Sequence, residues 1–185
     1  MKGGAREAGE DRALESEDAL EPEDAPTGPK VDLYRGLLAD VERLLEGERD
    51  LLANAANTAS LIYHALPELN WAGFYLVREG ELVVGPFQGK PACTRIAFGK
   101  GVCGTAAAEG RTIVVENVHE FPGHIACDAA SNSEIVVPII KQGRLIGVVD
   151  LDIPRFGRFD ADDRAGLEAL VEVFLAKTEV GSGGG

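Results

Sequence analysis

Residues 134–153 read EIVVPIIKQGRLIGVVDLDI. Two apolar runs rich in Val and Ile flank the short Gly-containing stretch KQGR, a pattern that predicts a β-hairpin. In the second arm, alternation puts Leu145, Gly147, Val149, Leu151 and Ile153 on one face. Ile146, Val148, Asp150 and Asp152 fall on the other. An aspartate pair at i, i+2 on an apolar strand is unusual, because carboxylates are seldom buried without a partner. Either the strand leaves the sheet there and the aspartates meet water, or they line a pocket on the sheet's second face. Periodicity alone slightly favours the first. Glu134, at the mouth of the first arm, stands just after a long polar loop.

Outward from this hairpin, the patterns alternate in type. NWAGFYLV (70–77), the turn REGE and LVVG (82–85) predict a second hairpin, with Trp71, Gly73, Tyr75 and Val77 on one face and Ala72, Phe74 and Leu76 on the other. Residues 85–101 are rich in Gly and Pro and read as a long loop with a short strand at 95–98. VCGTAAAEG reads as a short helix closed by Gly110, and TIVVENV (112–118) as a strand. The loop HEFPGHIACDAASNS (119–133) is long and polar, as functional loops tend to be.

Helical spacing governs the ends. From Val31 the stripe is Leu33, Leu37, Val41, Leu44 and Leu45, and DLLANAANTASLIYHAL (50–66) follows and stops at Pro67. FDADDRAGLEALVEVFLAK (159–177) carries an N-cap at Asp160, acids in its first turn and a buried stripe of Leu167, Leu170, Val171, Phe174 and Leu175. Helices at both ends with hairpins between predict an α+β domain around a central antiparallel sheet, spanning 30–178.

The 185-residue chain has room for one domain with a real core. Residues 1–29 hold nine acids against three bases and almost no large apolar side chains, and read as a disordered acidic tail. Residues 179–185, ending GSGGG, read as a flexible tail. A net charge of −13 argues against sequence-independent nucleic-acid binding, since no basic stripe can neutralise phosphates. Neither end reads as a secretory signal and no apolar run approaches membrane-spanning length, so the expectation is a cytoplasmic protein. Its three cysteines, Cys93, Cys103 and Cys127, then argue against a static disulfide framework.

Several chemistries can be weighed against the residues. His124 and Cys127, with His119 and Cys103, lack the second tight pair of a structural zinc site. No G-x-S-x-G is present, and GKGVCGT matches neither phosphate-binding fingerprint. Thiol redox chemistry uses more of the pattern. Loops in a compact fold can bring an attacking and a resolving cysteine together, and a nearby acid can protonate a leaving oxygen.

The motifs NWAGFYL, GPFQGKPACTRIAFGKGVCGTA, HIACDAASNSEIVVPI and GVVDLDIP resemble those of GAF domains, and more narrowly the free methionine-(R)-sulfoxide reductases. The resemblance runs from about Val31 to Lys177. It implies that Cys127 attacks the sulfoxide, that Cys93 is the main resolving thiol, and that Cys103 is an auxiliary thiol. It also implies that Glu134 and Asp152, with Asp150 alongside, hold and protonate the sulfoxide oxygen. Trp71 would be an aromatic wall for the S-methyl group, with Tyr75 near it. On this reading no cofactor is bound. Electrons pass from NADPH through thioredoxin reductase and thioredoxin to a Cys93–Cys127 disulfide. Relatives of this kind often form homodimers through terminal helices. A ligand-binding GAF sensor without turnover would use the same fold and pocket, and a zinc-stabilised structural module is a further alternative.

Overall fold

The computed structural model describes residues 30–125 and 129–181. The acidic segment 1–29, residues 126–128 with Cys127, and residues 182–185 lie outside the described residues. Two N-terminal helices come first, α1 (Lys30–Leu44) and α2 (Leu51–Ala65). A hairpin follows, β1 (Trp71–Arg78) and β2 (Glu81–Gly89), then β3 (Arg95–Ala97) and the short helix α3 (Gly101–Glu109). Next come β4 (Ile113–Val115), a 3-10 turn at Val118–Glu120, and the hairpin β5 (Ser133–Lys141) and β6 (Arg144–Ile153). Helix α4 (Ala161–Lys177) closes the fold.

All six strands join one antiparallel sheet in the order β3-β2-β1-β6-β5-β4, so the two predicted hairpins meet at its centre through β1 and β6. Both hairpin turns hold two successive residues at positive φ. These are Glu79 and Gly80 in the first, and Gln142 and Gly143 in the second, the geometry whose twist suits adjoining strands. The first hairpin is longer than predicted. β2 continues through Gly85 and Pro86 to Gly89 by way of a register shift opposite Gly73/Tyr75, which accommodates the proline within the strand.

The sheet separates two apolar layers. Ala72, Phe74, Leu76, Ile135, Val137, Ile139, Val149, Leu151 and Ile153 face α1, α2 and α4. Trp71, Tyr75, Val136 and Val148 face α3. This is the alternation read from β1. In β6 the simple alternation fails at one end, because the ladder pairs Ile139 with Gly147 but Ile140 with Leu145, leaving Ile146 as an extra residue. The bulge sends Ile146 into the helix-covered core and Leu145 to the α3 side, the reverse of the predicted faces. Another departure is Leu44, expected in the α1 stripe but 46% exposed, while Tyr34 is buried.

Tyr34 shows how the terminal helices are joined. Its ring lies over Gly166 of α4, where a Cβ would come within 2.2 Å of the ring, so only glycine permits this approach. Its hydroxyl donates to Asp163 Oδ1 at 3.0 Å. Asp163 is fully buried and also accepts from Arg158 Nη1 at 3.0 Å, from the Asp160 backbone N–H at 2.9 Å and from Lys30 Nζ. Asp160 in turn caps α4 by accepting from the N–H groups of Asp162 and Asp163, completing a capping box. One carboxylate therefore ties the start of α1 to the start of α4. Removing it leaves Arg158 buried without its partner, so Asp163→Ala is expected to cost about 3–5 kcal/mol in urea unfolding. A loss below about 1 kcal/mol would show the network to be dispensable.

Candidate active site

The sheet face under α3 carries the unusual residues. Ladder register puts Glu134 of β5 directly opposite Asp152 of β6, and Asp152 opposite Trp71 of β1. Two residues along, Asp150 faces Val136 on one side and Gly73 on the other. Side chains at i and i+2 share a face, so Asp150 and Asp152 follow Glu134 onto the α3 side. The aspartates do not run out into solvent. Glu134 is 6% exposed and Asp150 5%, while Asp152 is half-buried. The reading that periodicity slightly favoured is the wrong one, because α3 and its flanking loops cover the strand ends.

Like charges opposite one another on adjacent strands are destabilising, and the site avoids ionising all three acids. Burial pushes the Glu134 carboxyl well above the usual range, and the neighbouring Asp150 and Asp152 push it further. Burial raises Asp150 from 3.8 to about 7, against hydrogen bonds from Cys103 and Glu134 that favour its charged form. Protons are therefore retained here near neutral pH. Cys103, in the first turn of α3, is a free and buried thiol, and its Sγ lies 3.8 Å from Glu134 Oε1. Burial pushes this thiol up as well, with Asp150 and Glu134 adding to the effect. Tyr75 is raised in the same way, by burial first and Asp150 next.

Cys103 Sγ and one oxygen each of Glu134 and Asp150 lie within 4.8 Å of one another, the convergence a metal ion could use. Protons serve the same end, and the thiol–carboxyl hydrogen bond places one between two of these groups.

Trp71 forms the apolar wall. Its ring stacks with Tyr75, at 5.7 Å between centroids, and with Phe87 of β2, at 5.3 Å. Gly73 makes the stack possible. A Cβ there would stand 2.6 Å from Trp71 Cη2 and 2.4 Å from Phe87 Cβ. The Gly- and Pro-rich pattern puts Phe87 in a loop and gives it no role, and alternation assigns Gly73 only a face. An isolated glycine within a strand pattern was the available signal of close approach.

Trp71, Tyr75, Cys103, Glu134, Asp150 and Asp152 together line a cavity of about 40 Å³, which Ala92, Lys100, Gly101 and His124 also line. Thus six of the eight residues singled out from the sequence are assembled. Cys93 is half-buried, next in sequence to the lining residue Ala92, and disulfide-bonded. Cys127 lies outside the described residues. The arrangement can hold a polar group against proton-bearing acids with an aromatic surface beside it.

Comparison with known proteins agrees with this architecture. The chain belongs to the GAF domain family, whose sequence profile matches residues 53–174. Among its relatives, the free methionine-R-sulfoxide reductase of Escherichia coli is 52% identical over 153 residues, covering 81% of this chain and 93% of that protein. Protein YtsP of Bacillus subtilis is 54% identical over 148 residues, covering 79% of this chain and 91% of the relative. The X-ray structure of free methionine-R-sulfoxide reductase from Neisseria meningitidis in complex with its substrate superposes with a TM-score of 0.79 at 46% identity. It covers 81% of this chain and 90% of that one.

The raised carboxyl values have a consequence for stability. A carboxyl whose folded pKa is about 7 against an ordinary 3.8 binds its proton more tightly when folded. Its stabilising share is complete below about pH 4 and is lost as pH rises through 7. Asp150→Asn removes this loss. The variant should match the wild type in urea unfolding at pH 4 and exceed it at pH 8 by a few kcal/mol, at about 1.4 kcal/mol per unit. An equal difference at both pH values would remove Asp150 as the source.

Proposed function

We propose that this protein reduces free methionine-(R)-sulfoxide to methionine. The observation that carries the reading is the cluster of buried, proton-retaining carboxyls beside the Trp71 wall, and the names of close relatives support it. A sulfoxide is a poor electrophile until its oxygen is protonated, and acids that keep a proton near pH 7 suit that task.

In the proposed cycle, Cys127 Sγ attacks the sulfoxide sulfur while Glu134, assisted by Asp152, supplies a proton to the oxygen. The oxygen passes to Cys127, leaving a sulfenic acid, and the substrate sulfur regains an electron pair as the thioether. The thiol proton of Cys127 restores the acid. The Cys93 thiol then attacks Cys127 Sγ, water leaves, and a Cys93–Cys127 disulfide forms. Cys93 being disulfide-bonded and Cys103 a free thiol supports this division of labour. Thioredoxin supplies two electrons and two protons to restore both thiols, and is itself reduced from NADPH through thioredoxin reductase. Trp71 packs against the S-methyl group, Tyr75 backs it, and Asp150 helps to hold the substrate's polar end.

The test is NADPH consumption with thioredoxin and thioredoxin reductase, offering the free R epimer, the free S epimer and a peptide-bound sulfoxide. Turnover of the free R epimer alone is expected. No turnover of any, with thiols confirmed reduced, would favour a ligand-binding sensor. Cys127→Ser should abolish even a single turnover, whereas Cys93→Ser should complete one and then stall with thioredoxin. Glu134→Gln, which cannot donate a carboxylic proton, should slow single turnover by roughly 100-fold or more. A near-wild-type rate would withdraw Glu134 as the acid.

A further inference from the structure

We propose that Cys103 acts as a positioning residue, its S–H fixing which oxygen of Glu134 carries the transferable proton, and that it takes no part in the electron path. This rests on the reaction proposed above and assigns Cys103 a different task from the auxiliary redox role implied by family resemblance.

The geometry begins with the seating of α3. Gly104 follows Cys103, and a Cβ there would lie 2.4 Å from the carbonyl oxygen of Ala97 in β3. With glycine, the helix drops onto the strand, and Gly99 N–H donates to the Gly104 carbonyl at 2.7 Å. The first turn of α3 is thereby held over the sheet, and Cys103 Sγ is placed 3.8 Å from Glu134 Oε1, within the range of a sulfur hydrogen bond. Cys103 is 4% exposed and its thiol is free.

The direction of this bond follows from the surroundings. Glu134 is faced by Asp150 and Asp152 from β6, by Tyr75 from β1 and by Cys103 from α3. A thiolate among those acids is disfavoured by burial and by charge, so sulfur keeps its one proton. Asp150 competes for that proton, but the hydrogen bond seen in the geometry runs from Cys103 Sγ to Glu134 Oε1 at 3.8 Å. A protonated carboxyl accepts through its carbonyl oxygen and donates through the other. Donation from Cys103 makes Oε1 the accepting oxygen and leaves the acidic proton on Oε2. When that proton is given to the sulfoxide oxygen, the same S–H stabilises the carboxylate left behind. The hydrogen bond also lowers the Glu134 pKa against the burial and the aspartates that raise it, keeping the acid strong enough to donate. The same burial and charge make Cys103 a poor nucleophile, since thiolate and not thiol attacks.

The experiment compares Cys103→Ala and Cys103→Ser with wild type in single-turnover reduction of free methionine-(R)-sulfoxide as a function of pH, then in recycling by thioredoxin. Alanine removes the donor, and serine retains one. Expected for alanine is a single-turnover rate reduced about 10-fold, with the alkaline limb of the profile displaced upward by about one pH unit. Serine should restore most of the rate and bring the limb back toward wild type. Disulfide formation and thioredoxin recycling should proceed in both. An alanine variant with unchanged rate and limb overturns the proposal. So does a pair of variants equally impaired in recycling, which would return Cys103 to the electron path. A wild type that turns over no sulfoxide defeats the functional reading itself, an outcome distinct from either.

Discussion

Three carboxyls on one covered patch of sheet cannot all be ionised, and the rest of the site is arranged around that constraint. Glu134 and Asp152 are cross-strand neighbours, and Asp150 is two residues along the same face. In water their repulsion would be small. Under α3, burial first of all disfavours the charged forms of Glu134 and Asp150, and the low local dielectric enlarges the repulsion on Glu134, so the cluster retains protons. What weakens the fold near neutral pH is the same thing that supplies an acid for an oxygen leaving group. Conflict between local stability and chemistry of this kind is what a functional site is expected to show.

The constraint requires a tight cover, and small residues provide it. Gly73 admits the stacked rings of Trp71 and Phe87, and Gly104 lets α3 approach β3. Neither contact would survive an added methyl group without displacement of backbone or ring. The opposite layer supplies rigidity. Phe74 packs on Phe174 with ring centroids 5.1 Å apart, and Asp163 joins α1 to α4 beneath Tyr34. A strand with two acids on one face can stay in register only because its other face, Val149, Leu151 and Ile153, is firmly buried against those helices.

Local pattern made much of the fold legible. Both hairpins, the capped α4 and the alternation along β1 follow from residue type and period, since they depend on neighbours close in sequence. Its failures have equally local causes. The bulge at Ile146 exchanged Leu145 with its neighbour, and Leu44 lies on the α1 stripe but is left exposed among the described residues. Phe87 is hidden in the sequence because Pro86 and two glycines disguise the end of β2 as a loop.

By itself, the sequence determined which elements form, which face of each strand is apolar, and which residue types are present to carry acid and thiol chemistry. It could not decide whether Asp150 and Asp152 meet water or line a cavity, because burial depends on what another part of the chain lays over them. Nor could it bring Cys103 to Glu134, thirty-one positions away. Strand pairing and the seating of α3 decided both. Those contacts join segments distant in sequence, and the shifted proton affinities that give the site its chemistry exist only once the segments have closed over one another.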